Sequence, residues 1–219
     1  MKLKLIILFI LGTAAISAKA QTGFPFDNEI RDFKKQDSIS MPPKNGILFI
    51  GSSSIRKWTD LEQRFSDKPI IRRGVGGSTL EQLVDYYTSY ILLPYKPKKV
   101  FIYAGENDIA AGKSGVFVAQ EFTKLWAMLE QKLPKAEIYF MSVKPSPSRA
   151  KYDDQVRAAN RLIKIFLLSR GNGHFIDVST TILDPVTSKP DPGLFEKDML
   201  HLNSRGYDRW QAVLQPYVN

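Results

Sequence analysis

Short apolar runs alternate with longer amphipathic stretches along most of this chain. "GILFIG" (46–51), "KPIIRRG" (68–74), "KKVFIYAG" (98–105), "AEIYFMSV" (136–143) and "HFIDVS" (174–179) read as strands. They are rich in β-branched and aromatic residues, and their near-continuous apolarity fits strands covered on both faces. Helices are expected between them. Leu80, Leu83, Val84, Tyr87 and Ile91 recur with the spacing of one helix face, and Ser78 or Thr79 stands where an N-cap belongs. Residues 114–133 form a second helical pattern, stopped by Pro134, and residues 152–170 a third, ended by Gly171. A fourth spans 203–218, with Asn203 or Ser204 as its cap. Residues 21–45, with Pro42 and Pro43, read as a polar lead-in. Strands alternating with helices predict an α/β fold, a parallel sheet with helices on both faces. Such sheets bind ligands beyond the C-terminal ends of their strands, so the loops after each strand are where chemistry is expected.

The N-terminus breaks this pattern. "MKLKLIILFILGTAAISAKA" carries Lys2 and Lys4, an apolar run from Leu5 to Leu11, and the small-x-small triplet Ala18-Lys19-Ala20. That is the layout of a cleaved export signal, and the apolar run falls short of the ~20 residues that span a bilayer. The expected organisation is a signal over 1–20, a lead-in over 21–45 and one domain over 46–219. The protein is then periplasmic or extracellular, with no stable membrane insertion after cleavage. A chain of 219 residues, 43% hydrophobic and 24% charged, holds one full-sized core.

Charge and composition narrow the chemistry. The net charge is +9, but Arg56, Arg72, Arg73, Lys98, Lys113, Lys132 and Lys135 are scattered along the chain. A solvated basic surface is expected, not a nucleic-acid partner. There is no cysteine, so disulfides, thiol nucleophiles and Cys-ligated zinc are excluded. With His174 and His201 the only histidines, no multi-histidine metal site exists within one chain, and no metal is expected.

Four loops carry candidate chemistry. Gly51-Ser52-Ser53-Ser54 follows the first strand, where a serine meets a helix N-terminus. Gly74, Gly76 and Gly77 follow the second and run into Ser78-Thr79 and a helix start, so backbone N–H groups can approach a ligand. The loop lacks both the dinucleotide glycine spacing and a Walker lysine, and the Gly112-Lys113-Ser114 triplet has Asn107 where a Walker loop needs glycine. Asn107, flanked by Glu106 and Asp108, follows the third strand and offers two donors. Asp198 and His201, three apart, precede the last helix; a carboxylate on one imidazole nitrogen leaves the other free to take a proton. His174 starts the last strand, away from those loops, and reads as structural. Serine, base, orienter and donors are the set an activated nucleophile needs.

Taken in order, Gly-x-Ser, the block-two glycine, Gly-x-Asn-Asp and Asp-x-x-His resemble the SGNH, or GDSL, hydrolase family over essentially all of the mature chain. The resemblance implies a flavodoxin-like three-layer α/β/α sandwich with a five-stranded parallel sheet, and ester hydrolysis without a cofactor. It selects Ser53 as nucleophile, His201 and Asp198 as its base and orienter, and Ser53, Gly77 and Asn107 as oxyanion-hole donors. Ser52 departs from the family's aspartate. Glu106 fills a variable position and receives no role. The implied substrates are small-molecule, glycan or lipid esters. Short segments between elements point to an open site and a small acyl group such as acetyl. Trp58, Tyr103 and "KPSPSR" (144–149) are candidates to line it, with Lys144 or Arg149 meeting an acidic substrate. The alternatives are a lysophospholipase- or thioesterase-type lipolytic hydrolase, and a non-catalytic glycan- or lipid-binding module; the intact Ser, Gly, Asn, Asp and His set weighs against the latter.

Overall fold

The computed structural model describes residues 25–92 and 94–219, so the expected export signal lies outside the described residues. Each apolar run forms a strand: β1 Ile47–Gly51, β2 Ile70–Gly74, β3 Lys99–Tyr103, β4 Glu137–Met141 and β5 Gly173–Ile176. All pair in parallel in the order β2-β1-β3-β4-β5. This is the flavodoxin-like order. The chain steps from β1 outward to β2, then returns to β3 on the other side, which opens a crevice above the ends of β1 and β3. Gly51, Gly74 and Tyr103 lie side by side at that end.

The helices are α1 Asp27–Ile39, α2 Ser53–Arg56, α3 Leu61–Arg64, α4 Leu80–Gln82, α5 Glu106–Ala110, α6 Gly115–Lys132, α7 Asp153–Leu167 and α8 Ser204–Val218. Thr79 is the cap of α4, in a reciprocal box with Gln82. Beyond it the chain winds as a π-helix over Leu83–Leu92, and Thr88 Oγ1 donates back five residues to the Leu83 carbonyl at 2.7 Å. Asn203 caps α8 through the Gly206 N–H. Among the described residues no helix is long and apolar enough to cross a membrane.

Side chains alternate across the sheet and fill two separate cores. Leu48, Ile50, Val100, Ile102, Ile138 and Phe140 pack under α4, α6 and α7. Ile47, Phe49, Phe101, Tyr103, Tyr139 and Met141 pack under α2, α3 and α8. The result is the three-layer sandwich that the alternating pattern predicts.

Two expectations need correction. The described part of the lead-in, from residue 25, is largely helical. Helix α1 buries Ile30 against the first core, with Phe26 and Phe33 packed beside it. Its few apolar positions lie within a polar stretch, so the sequence shows little amphipathic signal. The connections are also not all short. Between β5 and α8 the chain runs irregularly from Asp177 to Asn203, folded on itself by bridges at Leu183–Pro190 and Phe195–Leu202. Val178, Ile182, Leu194 and Leu202 are buried there, so this segment is packed core and not a free lid.

Candidate active site

The site is built from loops at the C-terminal end of the sheet. Gly51 ends β1 with φ +140°, and a Cβ there would stand 1.9 Å from the Tyr103 carbonyl oxygen, so only glycine lets β1 and β3 approach this closely. The Ser52 N–H donates to that same carbonyl at 3.1 Å, turning the chain out of the sheet and into α2. Ser52 and Ser54 are buried, and Ser53 alone of the three is partly exposed. The departure at position 52 therefore places a small polar side chain in the interior, where it leaves the neighbouring Ser53 accessible.

Ser53 Oγ lies 2.9 Å from His201 Nε2, and His201 Nδ1 lies 2.6 Å from Asp198 Oδ2. The other carboxylate oxygen, Oδ1, accepts the N–H groups of Leu200 (3.0 Å) and His201 (2.9 Å). The tight turn depends on Met199, which takes the left-handed conformation at φ 53° between them. Burial works to raise the Asp198 pKa, but the His201 ring and these two backbone donors outweigh it and hold the carboxyl well below its ordinary range. Asp198 is thus ionised wherever His201 can act as a base.

The donor half of the site comes from the loops after β2 and β3. Gly77 has φ +80°, and its N–H has no partner among the described residues. The loop is tied to β1, since Val75 N–H donates to Gly51 O at 2.8 Å. Asn107 Nδ2 donates to Ser78 O at 3.0 Å, which links the second and third loops. Asp108 strengthens that link. It is fully buried, and its carboxylate takes the N–H groups of Leu80 (2.8 Å) and Glu81 (3.4 Å) at the start of α4. Helix α1 reaches the same loop: Glu29 accepts from Gly76 N at 2.9 Å and from Arg56 Nη1 at 2.7 Å.

The structure therefore joins Ser53, His201 and Asp198 by direct hydrogen bonds, and joins the Gly77 loop to Asn107 through Ser78. His174 sits apart, stacked on Tyr139 and 2.5 Å from Glu137. Three lining candidates are reassigned. Trp58 and Tyr103 are fully buried in the second core, and Lys144 is buried against Glu106, with Nζ 2.9 Å from both carboxylate oxygens. Glu106, given no role by the sequence, also accepts the Tyr103 hydroxyl at 2.7 Å. Arg149 reaches inward to Asn107 at 3.2 Å. The available signal was a lysine directly after an apolar strand, at the end of the sheet where ligands bind.

Beside Asp198, away from Ser53, lies a cleft of about 660 Å³. Charged and polar side chains from Lys57, Asp60, Glu196 and Lys197 line it together with Leu202 and Tyr207, so its walls are mixed.

Comparison with known proteins bears on this arrangement. Residues 46–209 match the model of the GDSL-like lipase/acylhydrolase family. No curated protein matches the chain. Among solved structures, a Streptococcus pneumonia protein described as a platelet activating factor is similar with TM-score 0.78 and 20% identity, covering 89% of this chain and 92% of its own. A GDSL-like lipase from Bacteroides thetaiotaomicron gives TM-score 0.75 and 18% identity, over 89% and 98%. An acetyl-xylooligosaccharide esterase from Geobacillus Stearmophilus gives 0.61 and 15%, over 81% and 96%. At these identities the likeness is one of fold.

Proposed function

The chain belongs to the GDSL-like lipase/acylhydrolase family of carboxylic ester hydrolases, and on that premise we propose that Ser53, His201 and Asp198 hydrolyse a short-acyl ester of a hydrophilic alcohol through an acyl-enzyme. The observation that carries this reading is the unbroken relay from Ser53 Oγ to His201 at 2.9 Å and from His201 to Asp198 at 2.6 Å.

In this mechanism Ser53 Oγ attacks the ester carbonyl carbon as His201 Nε2 takes its proton, and ionised Asp198 stabilises the imidazolium. The carbonyl oxygen becomes an oxyanion, held by the N–H groups of Ser53 and Gly77 and by Asn107 Nδ2. Each such donor is worth about 100- to 1,000-fold in turnover. Collapse breaks the carbon–alkoxy bond, and His201 returns the proton to the leaving alcohol. Water then attacks the acyl-enzyme with His201 as base, which releases the acid and restores Ser53.

The charged side chains of Lys57, Asp60, Glu196 and Lys197 in the cleft beside Asp198 support a polar alcohol, such as a glycan hydroxyl, and the fold shared with an acetyl-xylooligosaccharide esterase agrees with an acetyl group. The test is hydrolysis of p-nitrophenyl acetate, octanoate and palmitate, then of acetylated xylo-oligosaccharides. Activity is expected to fall as the acyl chain lengthens and to vanish in Ser53→Ala without loss of fold. A preference for palmitate would sink the short-acyl reading; full activity in Ser53→Ala would sink the nucleophile.

Export belongs to the same reading and rests on the lysines, apolar run and small-x-small triplet of residues 1–20. N-terminal sequencing of protein recovered from outside the cytoplasm is expected to begin at Gln21. A start at Met1 contradicts it.

A further inference from the structure

Next to the Asn107 carboxamide lies a buried cluster of charge that the mechanism above does not use. Glu106 is 6% exposed and Lys144 1%. Lys144 Nζ sits 2.9 Å from both Glu106 oxygens, and Arg149 Nη1 lies 3.6 Å from one of them. One carboxylate thus faces two basic side chains. Burial lowers the Lys144 pKa, and the neighbouring Glu106 carboxylate opposes that shift. Arg149 is anchored by this pair and by the Glu106 carbonyl, to which Nη1 donates at 3.1 Å. Both terminal guanidinium nitrogens then lie 3.2 Å from Asn107 Oδ1.

The chemistry of these groups fixes which way the amide points. An asparagine side chain fits its space equally well in two orientations, and only its partners choose between them. A guanidinium has donors and no acceptor, so the atom facing Arg149 must be oxygen. The Ser78 carbonyl only accepts, so the atom facing it must be the amide nitrogen. The two constraints agree. They leave one N–H of Nδ2 on Ser78 and the second available to a ligand. Donation from a cation into Oδ1 also polarises the amide and strengthens Nδ2 as a donor.

We infer that Arg149 is a positioning residue for hydrolysis: it locks Asn107 with its remaining Nδ2 N–H presented to the oxyanion, on a foundation supplied by Glu106 and Lys144. The inference rests on reading Asn107 as an oxyanion donor. It replaces the expectation that Arg149 greets an acidic substrate, because the guanidinium is already engaged inside the protein. The same loop holds the other half of the site by a separate contact, since Ser148 N and Oγ both donate to Met199 O at 3.1 and 2.9 Å. Substituting Arg149 alone leaves that contact in place.

The experiment compares full-length wild type, Arg149→Ala, Arg149→Lys, Asn107→Ala and the Asn107→Ala/Arg149→Ala double variant on p-nitrophenyl acetate, with Ser53→Ala as the control for the site itself. Arg149→Ala is expected to lower kcat by about 10- to 100-fold, below the ~100–1,000-fold of a lost donor, with KM within about two-fold, because the oxyanion contact exists only in the transition state. Arg149→Lys keeps a donor-only cation and is expected to recover part of the rate. In the Asn107→Ala background, Arg149→Ala is expected to cost nothing further. Independent, multiplicative losses overturn the inference, as does a change confined to KM, which would mean direct contact with substrate. A readout free of catalysis is the NMR signal of the Asn107 side-chain amide, expected to be resolved and hydrogen-bonded in wild type and altered in Arg149→Ala. An unchanged signal overturns the lock. Ester hydrolysis that survives in Ser53→Ala instead overturns the reading of the site, and the amide signal still decides on Arg149.

Discussion

Asp198 divides its work between two oxygens: Oδ2 meets the His201 ring and Oδ1 meets the backbone N–H groups of Leu200 and His201. Asp198→Asn is therefore informative. Its amide oxygen must stay with the two backbone donors, which turns its N–H₂ toward His201 Nδ1. The ring is forced into the tautomer with hydrogen on Nε2, where it donates to Ser53 and cannot accept its proton. A loss of about 10⁴-fold in kcat is expected, with the fold retained. Loss below about ten-fold would show that Asp198 does not set the tautomer. The pH dependence carries a sign as well. Folding holds the Asp198 carboxyl below its ordinary value, so its contribution to stability is present above the unfolded pKa near 4 and is lost as pH falls through the lower folded value. The acid limb of activity above pH 4 consequently reports another group. At this scale Ser53, His201 and Asp198 were legible because their chemistry is local or set by a motif. The Glu106–Lys144 pair was not, because 38 positions separate the two and a lysine after an apolar strand reads equally well as a contact to a ligand.

Elements were legible where periodicity is strong and obscured where it is not. All five strands appeared as apolar runs, because each is covered on at least one face by a full helix layer. Helix α6 and helix α7 appeared because their buried positions repeat along one side, as with Val156, Ala159 and Ile163. Helix α1 escaped because only Ile30 is buried, with Phe33 partly so, and its other contacts are largely polar. Those polar contacts are what make it matter. Glu29 bridges Arg56, three residues after Ser53, to the N–H of Gly76, one residue before Gly77. Asp37 pairs with Arg73 at the end of β2 and accepts the Tyr95 hydroxyl. A stretch that reads as lead-in by composition therefore clamps the loops that carry Ser53 and Gly77. The connection from Asp177 to Asn203 escaped for a related reason: its buried residues are spaced by turns, and neither a period of two nor one of 3.6 picks them out.

The whole molecule places the two halves of its site on opposite faces of one sheet. Ser53 stands on α2, which buries Ile55 in the second core, and His201 precedes α8, which buries Trp210 there. The Gly77 loop runs into α4, which buries Leu80 in the first core, and Asn107 stands on α5, which buries Ile109 there. The loops of Ser53 and His201 and those of Gly77 and Asn107 meet because both layers grip the same strands, so on the proposed mechanism hydrolysis is expected to require both cores. The three tryptophans report the two cores separately: Trp126 belongs to the first, Trp58 and Trp210 to the second. None of their indole N–H groups has a partner among the described residues, so replacement by phenylalanine removes no hydrogen bond. In the Trp58→Phe/Trp210→Phe variant, Trp126 fluorescence is expected to change at the same urea concentration as far-UV ellipticity and esterase activity, in one cooperative transition. A Trp126 signal that outlasts the loss of activity would show that the first core stands alone, and that the sheet does not couple the halves of the site.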